Sequence, residues 1–221
     1  MEFSITLLLV LANLAISIPA FNNSKLMNDL IFYPPSITNH RQYYRFITHG
    51  FLHADVPHLA FNMVALYSFG GAVEKIFSLE CLFGSIGKFY YLLMYMAALV
   101  IATLPTYLKN KQNYHYRSLG ASGAVSAVVF AGITLLPQIP INFIFIPIDI
   151  PGYIFGLAYL GISAYLDRKG GGNVNHSAHF WGAAFGIVVT ISLCLAFAQL
   201  NVFENFLKQI QSFGRILPFE C

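Results

Sequence analysis

Two residues that could act as a nucleophile and its base sit inside apolar segments of this chain. Ser122 lies in Gly120-Ala121-Ser122-Gly123, a Gly-x-Ser-Gly turn that opens one apolar segment. His179 lies in Ala178-His179-Phe180-Trp181-Gly182, which opens another, two apolar segments later. Polar and ionisable groups at membrane depth are costly, so they carry a functional hypothesis by default. The chemistry they suggest is peptide-bond hydrolysis inside a bilayer, in which a serine hydroxyl attacks and a neutral imidazole takes its proton. At the start of a helix the Ser122 N–H has no intrahelical acceptor and could meet a developing oxyanion. Gly120 and Gly123 would allow a tight turn and close backbone approach. Alone, the motif also describes a helix-packing serine, since small residues are common at membrane helix contacts and Ser118 and Ser126 lie four residues either side. His179 favours the functional reading. Gly182 and Gly186 share its helical face, and Gly123, Ala127 and Ala131 recur at four-residue spacing on the other segment. A small-residue crossing of the two would bring His179 towards Ser122.

A third cluster runs from His49 through His53 and His58 to Asn62. His58 and Asn62 are four apart and lie on one helical face. As donors aimed at an oxyanion they would supplement the Ser122 N–H. Hydrogen bonding that only joins helices accounts for the same spacing. Three histidines within ten residues also raise zinc or iron, but no mid-helix carboxylate completes a usual ligand set and no His-Glu-x-x-His occurs, so no metal and no cofactor is expected. Asp55 is the nearby acid, and Pro57 places the helix start after it. With Asp149 and Asp167 in loops and Glu74 near a helix end, a serine–histidine dyad is expected rather than a triad.

The elements that must position these residues are spanning helices. The chain is 57% hydrophobic and 10% charged over 221 residues, with a mean hydropathy of +0.64, where a soluble domain carries about 25% charged residues. Six apolar segments reach or approach spanning length, at 3–21, 57–78, 88–107, 119–137, 151–166 and 177–199. The first could pass for a signal peptide, but its n-region, Met1-Glu2, has no basic residue, so a helix is expected there. Between segments four and five, 138–150 contains Pro140 and Pro147 and reads as a re-entrant or interfacial connection. The first loop, 22–56, is long, and the fifth, 167–176, has three consecutive glycines and reads as a mobile flap or a plain flexible connector. A net charge of +3, scattered along the chain, gives no nucleic-acid surface. Cys81, Cys194 and Cys221 form neither a zinc pattern nor a disulfide framework.

Together these residues resemble the rhomboid family of intramembrane serine proteases, of the bacterial six-helix type. The likeness is carried by Tyr44-Arg45, His53, His58, Asn62, Gly70-Gly71-Ala72-Val73-Glu74, Gly120-Ala121-Ser122-Gly123 and Ala178-His179 followed by Gly182 and Gly186. It implies that Ser122 is the nucleophile, His179 the base, and that His58, Asn62 and the Ser122 N–H bind the oxyanion. It also implies a cavity opening to the side of loops one, three and five, and gating by the fifth loop and helix. Substrates would be single-pass membrane proteins with a helix-destabilising, small-residue region near the scissile bond. Two features depart from the family. Some relatives carry an aromatic residue four positions after the nucleophile, stacked on the histidine, where this chain has Ser126. The Lys and Arg of loops one, three and five would by charge alone put that side in the cytoplasm, opposite to the family orientation.

The expectation is therefore an all-α membrane protein, a six-transmembrane-helix rhomboid-like bundle forming one domain over 1–221. It would sit in a bacterial inner membrane with its site opening to the extracytoplasmic side, since no long extension or soluble domain is seen. A catalytically inactive relative that binds membrane proteins should lack Ser122 or His179, and a proton-relaying transporter should show inverted repeats or midplane carboxylates. Neither feature is found. Oligomeric state is not legible. Activity should fall as His179 protonates, around its ordinary value of about 6.5 unless burial shifts it.

Overall fold

Helices follow the apolar segments, and capping side chains decide where they begin. In the computed structural model, which describes residues 3–143, 146–170, 174–198 and 200–212, α1 spans Ile5–Phe21 behind the N-cap Ser4. The first loop, read from sequence only as long, folds into α2 (Ser24–Leu30), α3 (Pro34–His40), α4 (Arg45–Thr48) and a 3₁₀ turn at His49–Phe51. A small core of Phe32, Ile37 and Phe46 and the buried Arg45, which donates to the carbonyls of Asn28 and Ile31, hold it together. α5, Val56–Phe77, starts where Pro57 predicts, and the Asp55 carboxylate accepts from the His58 N–H at 2.7 Å.

The third segment is α6 (Gly87–Ile101) followed by α7 (Leu104–Asn110). α8 is Ser122–Leu135, α9 is Gly152–Lys169, and α10 is His176–Phe197. α5, residues 84–110 and α10 are each long and apolar enough to cross a membrane, while α1 and α8 are shorter apolar helices. All six expected segments are thus helical. The all-α expectation misses one feature: the connection at 138–150 is an antiparallel hairpin of β1 (Pro140–Phe143) and β2 (Ile146–Pro151). A strand pair satisfies its own backbone groups, as the proline-broken segment could not do as a helix. A final helix, α11 at Val202–Gln211, had no counterpart in the sequence reading.

α8 is the centre of the bundle, with every residue from Gly123 to Leu135 buried. α10 lies along it more extensively than any other pair of elements. A Cβ on Gly182 or Gly186 would strike the carbonyl oxygen of Gly123 or Ala127, so these glycines let the two backbones touch. α9 is the least embedded of the long helices; only Gly152, Gly156 and Ser163 are buried in it. At the far end from Ser122, Glu74 of α5 accepts from the N–H groups of Ile5 and Thr6 and from the Ser4 hydroxyl, at 2.8 to 2.9 Å. It thereby fills the donor sites that the start of α1 leaves open. Cys194 is a buried free thiol, whereas Cys81 is disulfide-bonded, a bond that the irregular cysteine spacing did not predict.

Candidate active site

Ser122 owes its position to the strand-like segment that precedes it. Phe32 and Ser118 exchange two backbone hydrogen bonds, and the Gly120 N–H donates to the His49 carbonyl at 3.0 Å. The chain then turns at Gly120 with φ of +121°, a conformation that glycine adopts without strain, and α8 begins at Ser122. Its first N–H groups have no intrahelical acceptor and face the turn.

His179 reaches this turn from the first helical turn of α10. Its Nε2 is 2.8 Å from the Ser122 hydroxyl oxygen. The start of α10 is fixed by Asn175, whose side-chain oxygen accepts from the Ala178 N–H and from the Thr106 hydroxyl of α7. One face of the imidazole is covered by the Tyr159 ring of α9, with centroids 6.1 Å apart and planes 25° from parallel. The Tyr159 hydroxyl shares a 2.6 Å hydrogen bond with Ser126. The aromatic expected four residues after the nucleophile is thus replaced by a ring from another helix, and Ser126 anchors that ring. The His176 ring meets His179 edge-on at 5.8 Å.

His58 stands on the other side of the turn. The Ala54 N–H points at its Nδ1 from 3.4 Å, which leaves Nε2 to carry the proton. That nitrogen lies 3.1 Å from where a Gly120 Cβ would be, so a donor faces the turn. Asn62, on the same face of α5, is buried and donates to the His58 carbonyl at 3.2 Å. His53 belongs elsewhere: Ser17 donates to the Phe51 carbonyl and presents its oxygen to His53 Nδ1 at 2.8 Å. His49 packs edge-on to Phe32. Burial pushes the His49 imidazole down to about 4, against the opposing effect of the Leu99 and Phe46 carbonyls. Burial, with His58 nearby, pushes His53 down to about 3. His53 also meets the His58 ring edge-on, with centroids 5.0 Å apart.

A cavity of about 10 Å³ sits behind Ser122, lined by His49, Thr103, Ser118 and Gly120 among others, close to the room one water needs. A larger cleft of about 330 Å³, bordered by Lys109, Tyr116, Asp167, Asn175, His176 and Trp181, opens beside the start of α10. The glycine-rich stretch read as a flap centres on residues 171–173, which lie outside the described residues. Tyr159, Asn175 and Thr106 are the members of this constellation that sequence reasoning missed. Asn175 had a signal, an Asn three residues before a helical N–H; Tyr159 and Thr106 had none.

Comparison with known proteins identifies the family. The family model for the rhomboid domain matches residues 40–196, a range that takes in every candidate site residue. RHOMBOID-like protein 12, mitochondrial, of Arabidopsis thaliana is 29% identical over 192 residues, 81% of this chain and 55% of that protein. The presenilin-associated rhomboid-like protein, mitochondrial, of Bos taurus is 33% identical over 142 residues, covering 62% and 34%. Rhomboid protease GluP of Bacillus subtilis (strain 168) is 29% identical over 162 residues, covering 70% and 27%. The chain therefore spans about half the length of the first and about a third or less of the others. Two of the three are described as mitochondrial, so the expected bacterial inner membrane gains no support beyond membrane residence itself. By a match that runs over most of its length, the chain belongs to the rhomboid family.

Proposed function

We propose that this protein is an intramembrane serine endopeptidase that cuts single-pass membrane proteins in or near their spanning segments. The observation that carries the reading is the 2.8 Å approach of His179 Nε2 to the Ser122 hydroxyl, made where the N-terminal ends of α8 and α10 meet. In the mechanism, His179 takes the hydroxyl proton as Ser122 attacks the carbonyl carbon, giving a tetrahedral oxyanion. The Ser122 N–H and His58 Nε2–H face the place where that charge develops, with Asn62 below them. His179 then returns the proton to the leaving amine, and a water repeats the sequence on the acyl-enzyme, with release of the acid. The site would open towards the side of loops one, three and five, where the larger cleft lies. A serine-directed fluorophosphonate tests the nucleophile without any choice of substrate. It should attach to Ser122 in the wild type and to nothing in His179→Ala at equal folded yield. Attachment unchanged in His179→Ala would remove the dyad, and a chain that binds membrane proteins without cutting them would take its place.

A further inference from the structure

An amphipathic helix at a protein surface usually turns its apolar side inward; α11 does not. Its buried residues are Val202 and Gln209. The Gln209 and Asn205 side-chain amides both donate to the Leu135 carbonyl, at 3.1 and 3.0 Å, and the Gln138 amide donates to the Gln209 carbonyl at 3.2 Å. These amides satisfy a carbonyl that the end of α8 leaves without an intrahelical donor. With the amides on the bundle, Phe203 and Leu207 point away from it, 72% and 41% exposed, with Phe206 and Ile210 half-buried beside them. Glu204 and Lys208 occupy a third direction, exposed and paired at 2.8 Å. Each residue turns the helix by about 100°, so α11 has three sectors: amides, apolar side chains and charges.

We infer that α11 lies in the plane of the membrane at the end of the bundle away from Ser122. Its amide sector is seated on α8, its Phe203–Leu207 sector is sunk among lipid acyl chains near the headgroups, and its Glu204–Lys208 sector is in water. This is the partition an interfacial helix makes. Lipid is the occupant because the apolar sector continues an existing lipid-facing surface. On α10, Val188, Ile191 and Leu195 share one exposed face, and only residues 198–201 separate that helix from α11. A second copy of the chain is disfavoured by size. A stable interface buries roughly 800 Å² on each partner, more than one side of a ten-residue helix supplies.

The inference does not rest on the proposed cleavage, so it is tested on the inactive Ser122→Ala protein, and failure of one leaves the other standing. In a Trp181→Phe background, which removes the sole tryptophan, Phe203→Trp and Leu207→Trp serve as separate reporters. Each is reconstituted in phosphatidylcholine vesicles brominated either near the headgroup or near the acyl terminus. The expected result is emission shifted to shorter wavelength and quenched more by shallow than by deep bromines. Glu204→Trp should emit at long wavelength and resist both quenchers, and Leu195→Trp should be quenched more deeply. Long-wavelength, unquenched emission from both reporters would overturn the inference. So would short-wavelength emission indifferent to bromine, the signature of a protein surface covering this face.

Discussion

An imidazole works as a base only while it is held within reach of the hydroxyl, and three groups hold His179. Asn175 fixes the start of its helix, Thr106 ties that cap to α7, and Tyr159 covers one face of the ring. An aromatic pair contributes about 0.5–1.5 kcal/mol beyond its buried area, so Tyr159→Ala should lower kcat by roughly two- to tenfold. Tyr159→Phe, which keeps the ring and loses the Ser126 bond, should cost less. Equal turnover in Tyr159→Ala and wild type, with only a lower melting temperature, would make the tyrosine a packing residue. Other residues of the site region should register in pH. His49 and His53 titrate at 6.5 in the unfolded chain and at about 4 and about 3 when buried. Between those values the unfolded chain binds more protons, so stability rises with pH through this window and these groups stop contributing above it. Melting temperature should fall as the pH drops from 6.5, and His49→Phe should flatten that fall; an unchanged slope in the variant would exclude His49. Ser122 and His179 were legible in the sequence because glycines and apolar neighbours mark them. Tyr159 was not, because no helical period links 159 to 179, and the tie is made only when α9 meets α8 and α10.

Among the elements, α8 matters most for depth. Its 14 residues rise about 20 Å, against a hydrocarbon core of about 30 Å, so α8 is too short to span the core and at least one of its ends falls within it. The preceding strand-like segment and the first loop, through Phe32 and His49, pack together at its Ser122 end. Glu74 does comparable work at the other end by closing the donors of α1. Glu74→Ala would leave those N–H groups without acceptors, at a cost of about 2 kcal/mol, seen as a lower unfolding midpoint in detergent; Glu74→Gln should recover part of it. No loss in Glu74→Ala would mean that water replaces the carboxylate. The six helices were legible from apolar length, and the crossing of α8 and α10 from Gly182, Gly186 and Gly123. The hairpin was not, because a short apolar run broken by prolines fits either a re-entrant segment or a strand pair. α11 was missed because it is too short and too polar to register against a spanning-length criterion.

For the whole molecule, one bundle does two jobs. On the proposed function it would shield a serine and a histidine from bulk lipid, and the cleft of about 330 Å³ beside the start of α10 would admit water and a peptide. Charge alone argued for one orientation and family likeness for another, and the bundle works identically in either. The claim that joins residue, element and molecule is that Ser122 and His179 cut peptide bonds. Its most direct measurement is cleavage of a single-pass membrane protein with a small-residue, helix-destabilised spanning segment, reconstituted with this chain in liposomes. Wild type, Ser122→Ala and His179→Ala are compared at matched folded yield. The account predicts a defined cut by the wild type and none by either variant. Cleavage persisting in Ser122→Ala would contradict it.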